Sequence, residues 1–204
     1  MSLAAQIPPL LPDPSTANSQ PRVVVALHGT LGTPYAFRPL ARELSARGVG
    51  LLAPAYGRRG TLRLDDCAAA VARTIAGLPD AVERVDIVGH SYGGLVGLRA
   101  LAVPAARARV RTLVGLGACW RGTQTGWGPA WLVRRVLGES FVELDAFRGE
   151  PAVPAGVEVV SVVSDADRVV PEASSRLGRV VELHGVRHNA LPRQTGAILA
   201  VLGC

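Results

Sequence analysis

Val88-Gly89-His90-Ser91-Tyr92-Gly93-Gly94 is the stretch on which the reading of this chain turns. The run Val85-Asp86-Ile87-Val88 before it has the apolar character of a buried strand, and the segment from Leu95 to Val103 has helical patterning. A serine at a sharp strand-to-helix turn is held in strained geometry, with its hydroxyl lifted above the sheet edge. Gly89 and Gly93 carry no side chains, so backbone can pass closely on either side. The amino terminus of the following helix adds a positive field where a developing oxyanion would sit. Ser91 is therefore the candidate nucleophile.

Working outward, apolar runs and helical patterns alternate. Strands are predicted at 22–27, 49–53, 85–88, 110–116, 157–163 and 179–183. Helical spacing appears at Phe37, Leu40, Ala41 and Leu44, stopped by Gly48, then over Leu62 to Leu78 and over about Ala190 to Leu202. Asp65 and Asp66 suit the positive end of their helix. Strands alternating with helices imply a three-layer α/β/α sandwich around a mostly parallel sheet of about six strands, with right-handed crossovers. Sites in such sheets lie at the carboxyl ends of the strands.

Two stretches stand outside this rhythm. Residues 1–21 are rich in Pro, Ser, Asn and Gln and read as a mobile arm ahead of a domain over 22–204. The interval from about 117 to 154 is too long for a simple crossover and holds Trp120, Trp127 and Trp131. It starts on the site edge, and long excursions there are usually lids or binding walls.

Composition excludes several classes. The 204 residues are 49% hydrophobic, which rules out a disordered chain and fits one domain with a buried core. Mean hydropathy is +0.27, yet no apolar run approaches the roughly 18 residues of a spanning helix. The net charge of +6 comes entirely from scattered arginines, with no lysine, which resembles codon bias more than a nucleic-acid surface. Arg58-Arg59, after the second strand, reads as a solvated loop rather than a grip on acidic head groups. Cys67, Cys119 and Cys204 form neither a disulfide framework nor a zinc pattern. Met1 to Gln20 lacks a basic n-region, so the chain reads as cytoplasmic as written, and secreted if its native start has been removed.

A nucleophilic serine needs a base, an orienting acid and oxyanion donors. The motif around Ser91 contains His90, and His28, His184 and His188 are the other histidines available as bases. Asp165 and Asp167 both follow the fifth strand; two residues apart, they share a face and spacing does not separate them.

These motifs, in the order Ser, Asp, His, resemble the α/β-hydrolase superfamily, and within it small bacterial lipases and esterases with a reduced sheet. The resemblance covers about residues 22–203. It implies His188 over His184, since the family's histidine lies in a loop leading to the last helix. It implies Asp167 over Asp165, since the family's acid precedes a short apolar stretch ending in Pro. By the same resemblance the backbone N–H groups of Thr30 and Tyr92 form the oxyanion hole. Trp120-Arg121-Gly122-Thr123 resembles a stretch near the site of small lipases, with Trp120 where those enzymes often have His. Trp120, Trp127 and Trp131 are accordingly substrate-binding candidates.

The resemblance implies a serine carboxylic ester hydrolase for lipid-like acyl esters. Its alternatives are an acyltransferase or thioesterase with the same three residues, or a non-catalytic binding protein of the same fold. No HExxH, P-loop or GxGxxG pattern occurs, and no metal or organic cofactor is expected. The expected partner is a small acyl ester, with transient lipid-surface contact and without nucleic acid. Oligomeric state is not legible.

Overall fold

The computed structural model describes residues 19–123, 128–147 and 149–204. Its frame is β1 (Arg22–Leu27), α1 (Arg38–Ser45), β2 (Gly50–Leu52), α2 (Leu64–Ala76), β3 (Arg84–His90), α3 (Tyr92–Ala100) and β4 (Val110–Leu116). It continues with α4 (Ala130–Leu137), α5 (Glu139–Ala146), β5 (Glu158–Ser164), β6 (Arg179–Leu183) and α6 (Thr195–Leu202). The six strands pair in parallel in the order β2-β1-β3-β4-β5-β6. This is the three-layer α/β/α sandwich the alternation predicts.

Alternate residues of the strands feed two cores, as the period of two demands. Val23, Val25 and Leu27 pack with Ile87, Leu113 and the buried faces of α2 and α3. Val24 and Ala26 pack with Val88, Val114 and Val162 against α1 and α6 on the opposite side. Cys67, Ala68, Val71, Ala72 and Ile75 form the stripe that α2 buries. Each fully buried Leu or Ile in these layers contributes about 1.5–3 kcal/mol by leaving water.

The amino end of the sheet holds a buried charge: Asp86 is fully enclosed and ion-paired to Arg22 at 2.8 Å and Arg84 at 3.1 Å. Pro21 leads into β1 there, its carbonyl accepting from the N–H groups of Glu83 and Arg84. The rest of the expected arm, residues 1–18, lies outside the described residues. No helix among the described residues is long and apolar enough to cross a membrane.

Some boundaries differ from the sequence reading. The helix expected from Leu95 starts at Tyr92, because the chain enters it directly from Ser91. The expected last helix is split: His188–Arg193 is a 3-10 segment containing Pro192, and α6 follows at Thr195. Proline has no N–H for the α-helical ladder.

The strand register sets the stage for chemistry. Leu27 pairs with Gly89, His90 with Leu116, Leu116 with Val162, and Ser164 with Leu183. The segments holding His28 to Thr30, Ser91, Gly117, Asp167 and His188 thus all leave the same edge of the sheet.

Candidate active site

Ser91 alone turns the chain from β3 into α3, with φ +54° and ψ −122°. A positive φ at a residue with a side chain costs about 1–3 kcal/mol and persists only where surroundings enforce it. Here the Ser91 N–H donates to the Leu116 carbonyl and its carbonyl accepts from the Gly94 N–H, both at 3.0 Å. The flanking glycines have a steric reason. A Cβ on Gly93 would run into the carbonyls of Leu27 and His28, and one on Gly89 would lie 2.5 Å from the Gly94 nitrogen.

His188 and Asp167 meet beyond the ends of β6 and β5. His188 Nδ1 lies 2.7 Å from Asp167 Oδ2, and both side chains are only 6% exposed. Asp167 Oδ1 accepts from the N–H groups of Val169 at 2.8 Å and Val170 at 3.1 Å. Burial pushes the Asp167 carboxyl pKa up, but the His188 hydrogen bond and these two N–H groups outweigh it, leaving the pKa below its ordinary value. An ionised carboxylate only accepts, so Nδ1 carries the proton of this bond, and in the neutral imidazole that tautomer leaves the lone pair on Nε2.

Two neighbours fix this pair. Gly117, at the end of β4, has φ +51°, and a Cβ there would lie 2.7 Å from Asp167 Oδ2 and 3.1 Å from His188 Nδ1. His90, one residue before Ser91, places Nε2 3.1 Å from the His188 carbonyl, with ring centroids 4.6 Å apart. Burial first, and then the neighbouring His188, lower the His90 pKa to about 3. His90 is therefore neutral, with Nε2–H donating. Neither residue was singled out for this role in the sequence. The only signals were a glycine directly after a strand and a histidine already accounted for by its motif.

The rejected pair also meets, in a different setting. His184 Nδ1 lies 3.0 Å from Asp165 Oδ2, and the Gly185 N–H donates to Oδ1 at 2.8 Å. Both side chains are exposed. A cavity of about 470 Å³ lies beside them, walled by Asp165, Asp167, Arg168, Arg176 and His184 among others. Neither Ser91 nor His188 belongs to its wall, so it lies behind the acid loop and away from the nucleophile.

The loop after β1 lies against Ser91: a Cβ on Gly29 would be 3.1 Å from Ser91 Cβ. It closes as a tight turn, with the Gly32 N–H donating to the Gly29 carbonyl at 2.9 Å and Leu31 at φ +57°. Thr30 lies inside this turn, and its Oγ1 is buried with no hydrogen-bond partner among the described residues. The His28 ring stacks on Tyr56 at 4.5 Å. Tyr92 is the first residue of α3, where a backbone N–H has no acceptor within the helix. Its ring is buried and its hydroxyl donates to the Leu62 carbonyl at 3.1 Å. The cysteines are free, and burial pushes the Cys119 thiol up to about 12, so it is no competing nucleophile.

The tryptophans part company. Trp120 is 0% exposed: its ring lies over Gly115 and Gly94, and its indole N–H donates to Ser161 Oγ at 3.0 Å. This corrects its assignment as a substrate contact, because a side chain enclosed between sheet and helix touches no ligand. Trp127 lies outside the described residues. Trp131 is 67% exposed on α4, alongside Leu132 and Val136. From β4 the excursion reaches the segment after β2: the Ser140 N–H donates to the Thr61 carbonyl at 3.2 Å, and Glu143 accepts from the Leu64 N–H at 2.6 Å.

A parallel sheet with a serine on a strained strand-to-helix turn, and a buried His–Asp pair on neighbouring strand ends, defines a hydrolase architecture. The chain belongs to the alpha/beta hydrolase family, whose model matches residues 24–199. Solved structures similar to it include the mature Bacillus licheniformis lipase BlEst2, at TM-score 0.71 and 17% identity, covering 94% of this chain and 93% of that one. The RedJ thioesterase of prodiginine biosynthesis in Streptomyces coelicolor matches at TM-score 0.64 and 18% identity, covering 95% and 87%. Aspergillus fumigatus lipase B matches at TM-score 0.67 and 18% identity over 89% of this chain, which spans only 52% of that chain. At these identities the likeness is one of fold.

Proposed function

We propose that this protein is a serine carboxylic ester hydrolase that cleaves lipid-like acyl esters through an acyl-enzyme on Ser91. The observation that carries this reading is the buried His188–Asp167 hydrogen bond of 2.7 Å on the sheet edge where the strained turn presents Ser91. His188 Nε2 takes the Ser91 proton as Oγ bonds to the acyl carbon. The bond to the alkoxy oxygen then breaks, and His188 returns the proton to the departing alcohol. Water repeats the sequence and releases the acid.

The N–H groups of Thr30 and Tyr92 hold the tetrahedral oxyanion, each contributing about 3–4 kcal/mol in comparable sites. The unpartnered Thr30 Oγ1 lies in the same loop and supports a polar ligand there. No metal or organic cofactor enters this scheme. The exposed Trp131, Leu132 and Val136 on α4 support contact with an apolar acyl chain or lipid surface. No nucleic-acid partner is proposed, since the arginines are scattered along the chain.

The test is turnover of p-nitrophenyl esters from short to long acyl chains, with acyl thioesters alongside, for wild type and Ser91→Ala. Loss of nearly all turnover in Ser91→Ala, with fluorophosphonate labelling of Ser91 in wild type, supports the reading. The ratio of ester to thioester rates separates an esterase from a thioesterase. An inactive, unlabelled wild type would leave a binding protein of this fold as the better description.

A further inference from the structure

We propose that Arg59 is a positioning residue for the oxyanion loop, carried there by a left-handed turn; this rests on the Ser91 reading above. Four successive residues, Gly57, Arg58, Arg59 and Gly60, have positive φ of +57°, +47°, +65° and +68°. The turn is closed by the Gly60 N–H on the Tyr56 carbonyl at 3.0 Å and the Thr61 N–H on the Gly57 carbonyl at 2.8 Å. Two consecutive arginines in the left-handed region are disfavoured by their own Cβ atoms. Strain of this kind concentrates where surroundings hold a functional geometry.

The turn is packed on the loop it serves. A Cβ on Gly60 would lie 3.3 Å from the Gly29 carbonyl oxygen and 3.5 Å from Thr30 Cα. Arg59 Nη2 donates to the Leu31 carbonyl, and Nε lies 3.5 Å from the Gly32 carbonyl. The Tyr56 hydroxyl donates to the His28 carbonyl. The segment 56–60 thus takes three carbonyls of the His28–Gly32 loop. Of the two others, that of Gly29 accepts from the Gly32 N–H and lies 2.9 Å from His28 Nδ1.

That arrangement determines where the Thr30 N–H points. The Gly29 carbonyl and the Thr30 N–H belong to one planar trans peptide and point in opposite directions. Pinning the Gly29 oxygen inside the turn therefore fixes the Thr30 N–H on the other side. The pin holds only while Leu31 keeps φ +57° and Gly32 stays folded back, and the guanidinium grips the carbonyls of both residues. A planar fork spans two acceptors; a lysine ammonium is a single point. Arg59 acts through the loop and touches no reacting atom.

The experiment compares Arg59→Gly, Arg59→Lys and Arg58→Gly with wild type on p-nitrophenyl butyrate, and measures inhibition by an alkyl trifluoromethyl ketone, whose adduct carries the oxyanion. Arg59→Gly keeps the positive φ and removes the guanidinium; Arg58→Gly eases the same turn and keeps it. Arg59→Gly is expected to lower kcat about 10- to 100-fold, to weaken the ketone by the same factor and to leave KM within about twofold. Arg59→Lys recovers only part, and Arg58→Gly stays near wild type. If Arg59→Gly fails to fold, Arg59→Lys gives the reading: wild-type kcat and ketone affinity in it overturn the proposal. A folded Arg59→Gly with unchanged kcat and ketone affinity, or a loss matched by Arg58→Gly, overturns it too. Fluorophosphonate labelling of wild-type Ser91 separates the two levels. A labelled enzyme indifferent to Arg59 sinks only this proposal, and an unlabelled, inactive one sinks both.

Discussion

His90 Nε2 donates a hydrogen bond to the main-chain carbonyl of His188, 3.1 Å away, tying the residue before the candidate nucleophile to the candidate base. The bond requires a proton on Nε2, and burial next to His188 keeps the ring neutral, with its pKa lowered to about 3. The two rings are therefore held by one interaction that costs no charge.

Acid sensitivity follows with a definite sign. Between pH 6.5 and about 3, native His90 is neutral while the unfolded chain binds its proton, so stability falls as pH is lowered through that window. Asp167 acts in the same direction lower down: its pKa is depressed in the folded state, so its contribution is present above the ordinary 3.8 and lost as pH falls through the folded value. For His90 the fall from 6.5 to about 3 is worth several kcal/mol, at about 1.4 kcal/mol for each tenfold change in proton affinity. His90→Gln, which can still donate to the carbonyl, is expected to flatten the slope of urea-unfolding free energy between pH 6 and 4. An unchanged slope would show that His90 titrates normally.

The two carboxylates are expected to separate cleanly. Asp167→Asn should lower kcat by roughly 10³- to 10⁴-fold, through loss of the tautomer that leaves Nε2 free. Asp165→Asn, on the exposed pair, should stay within about threefold. Equal losses would mean the acid has been assigned to the wrong residue.

Gly117→Ala probes the floor under the pair. The new methyl meets Asp167 Oδ2, and φ +51° is unfavourable for Ala, so about 1–3 kcal/mol of stability should be lost. Turnover should fall by about 100-fold as the pair shifts. Wild-type kcat in a folded Gly117→Ala would mean the pair tolerates displacement.

His184 offers an internal reference. Its hydrogen bond to Asp165 raises its pKa above 6.5, so any stability it supplies is complete below 6.5 and is lost as pH rises through the folded value. NMR titration should show that raised value, and Asp165→Asn should bring it down, with little effect from the exposed pair on thermal stability. A His184 pKa indifferent to Asp165→Asn would mean the contact is absent in solution.

The tryptophans should give opposite phenotypes. Trp120→Phe loses the indole hydrogen bond to Ser161 and should cost about 1–2 kcal/mol without altering preference for acyl length. Trp131→Ser should leave stability nearly unchanged and reduce long-chain turnover relative to short-chain. A changed chain-length profile in Trp120→Phe, or none in Trp131→Ser, would reverse their assignments.

Residues 85–94 made the architecture legible because local rules suffice there: an apolar run, two glycines around a serine, then helical spacing. Asp165 and Asp167 were not separable by such rules. Strand periodicity would put them on one face, but β5 ends at Ser164, and only the approach of His188 and the N–H groups of Val169 and Val170 distinguishes the buried carboxylate. Trp120 misled because its neighbours Arg121-Gly122-Thr123 resemble a site motif, while its burial depends on the bare backbone of Gly115 in β4 and Gly94 in α3.

By itself the sequence determined the alternating strands and helices, the two-faced core and the turn that holds Ser91, since each rests on periodicity and the conformations neighbouring residues allow. The tertiary structure alone decided the partner of each histidine, the role of Gly117 beneath the acid, and the reach of Arg59 to the loop after β1. Those relations join residues far apart in the chain, by 21 positions in His188–Asp167 and by 98 in His90–His188. Parallel pairing puts the carboxyl ends of the strands on one edge, the order β2-β1-β3-β4-β5-β6 makes neighbours of those that carry the site, and both are set by packing the whole sheet between its helices.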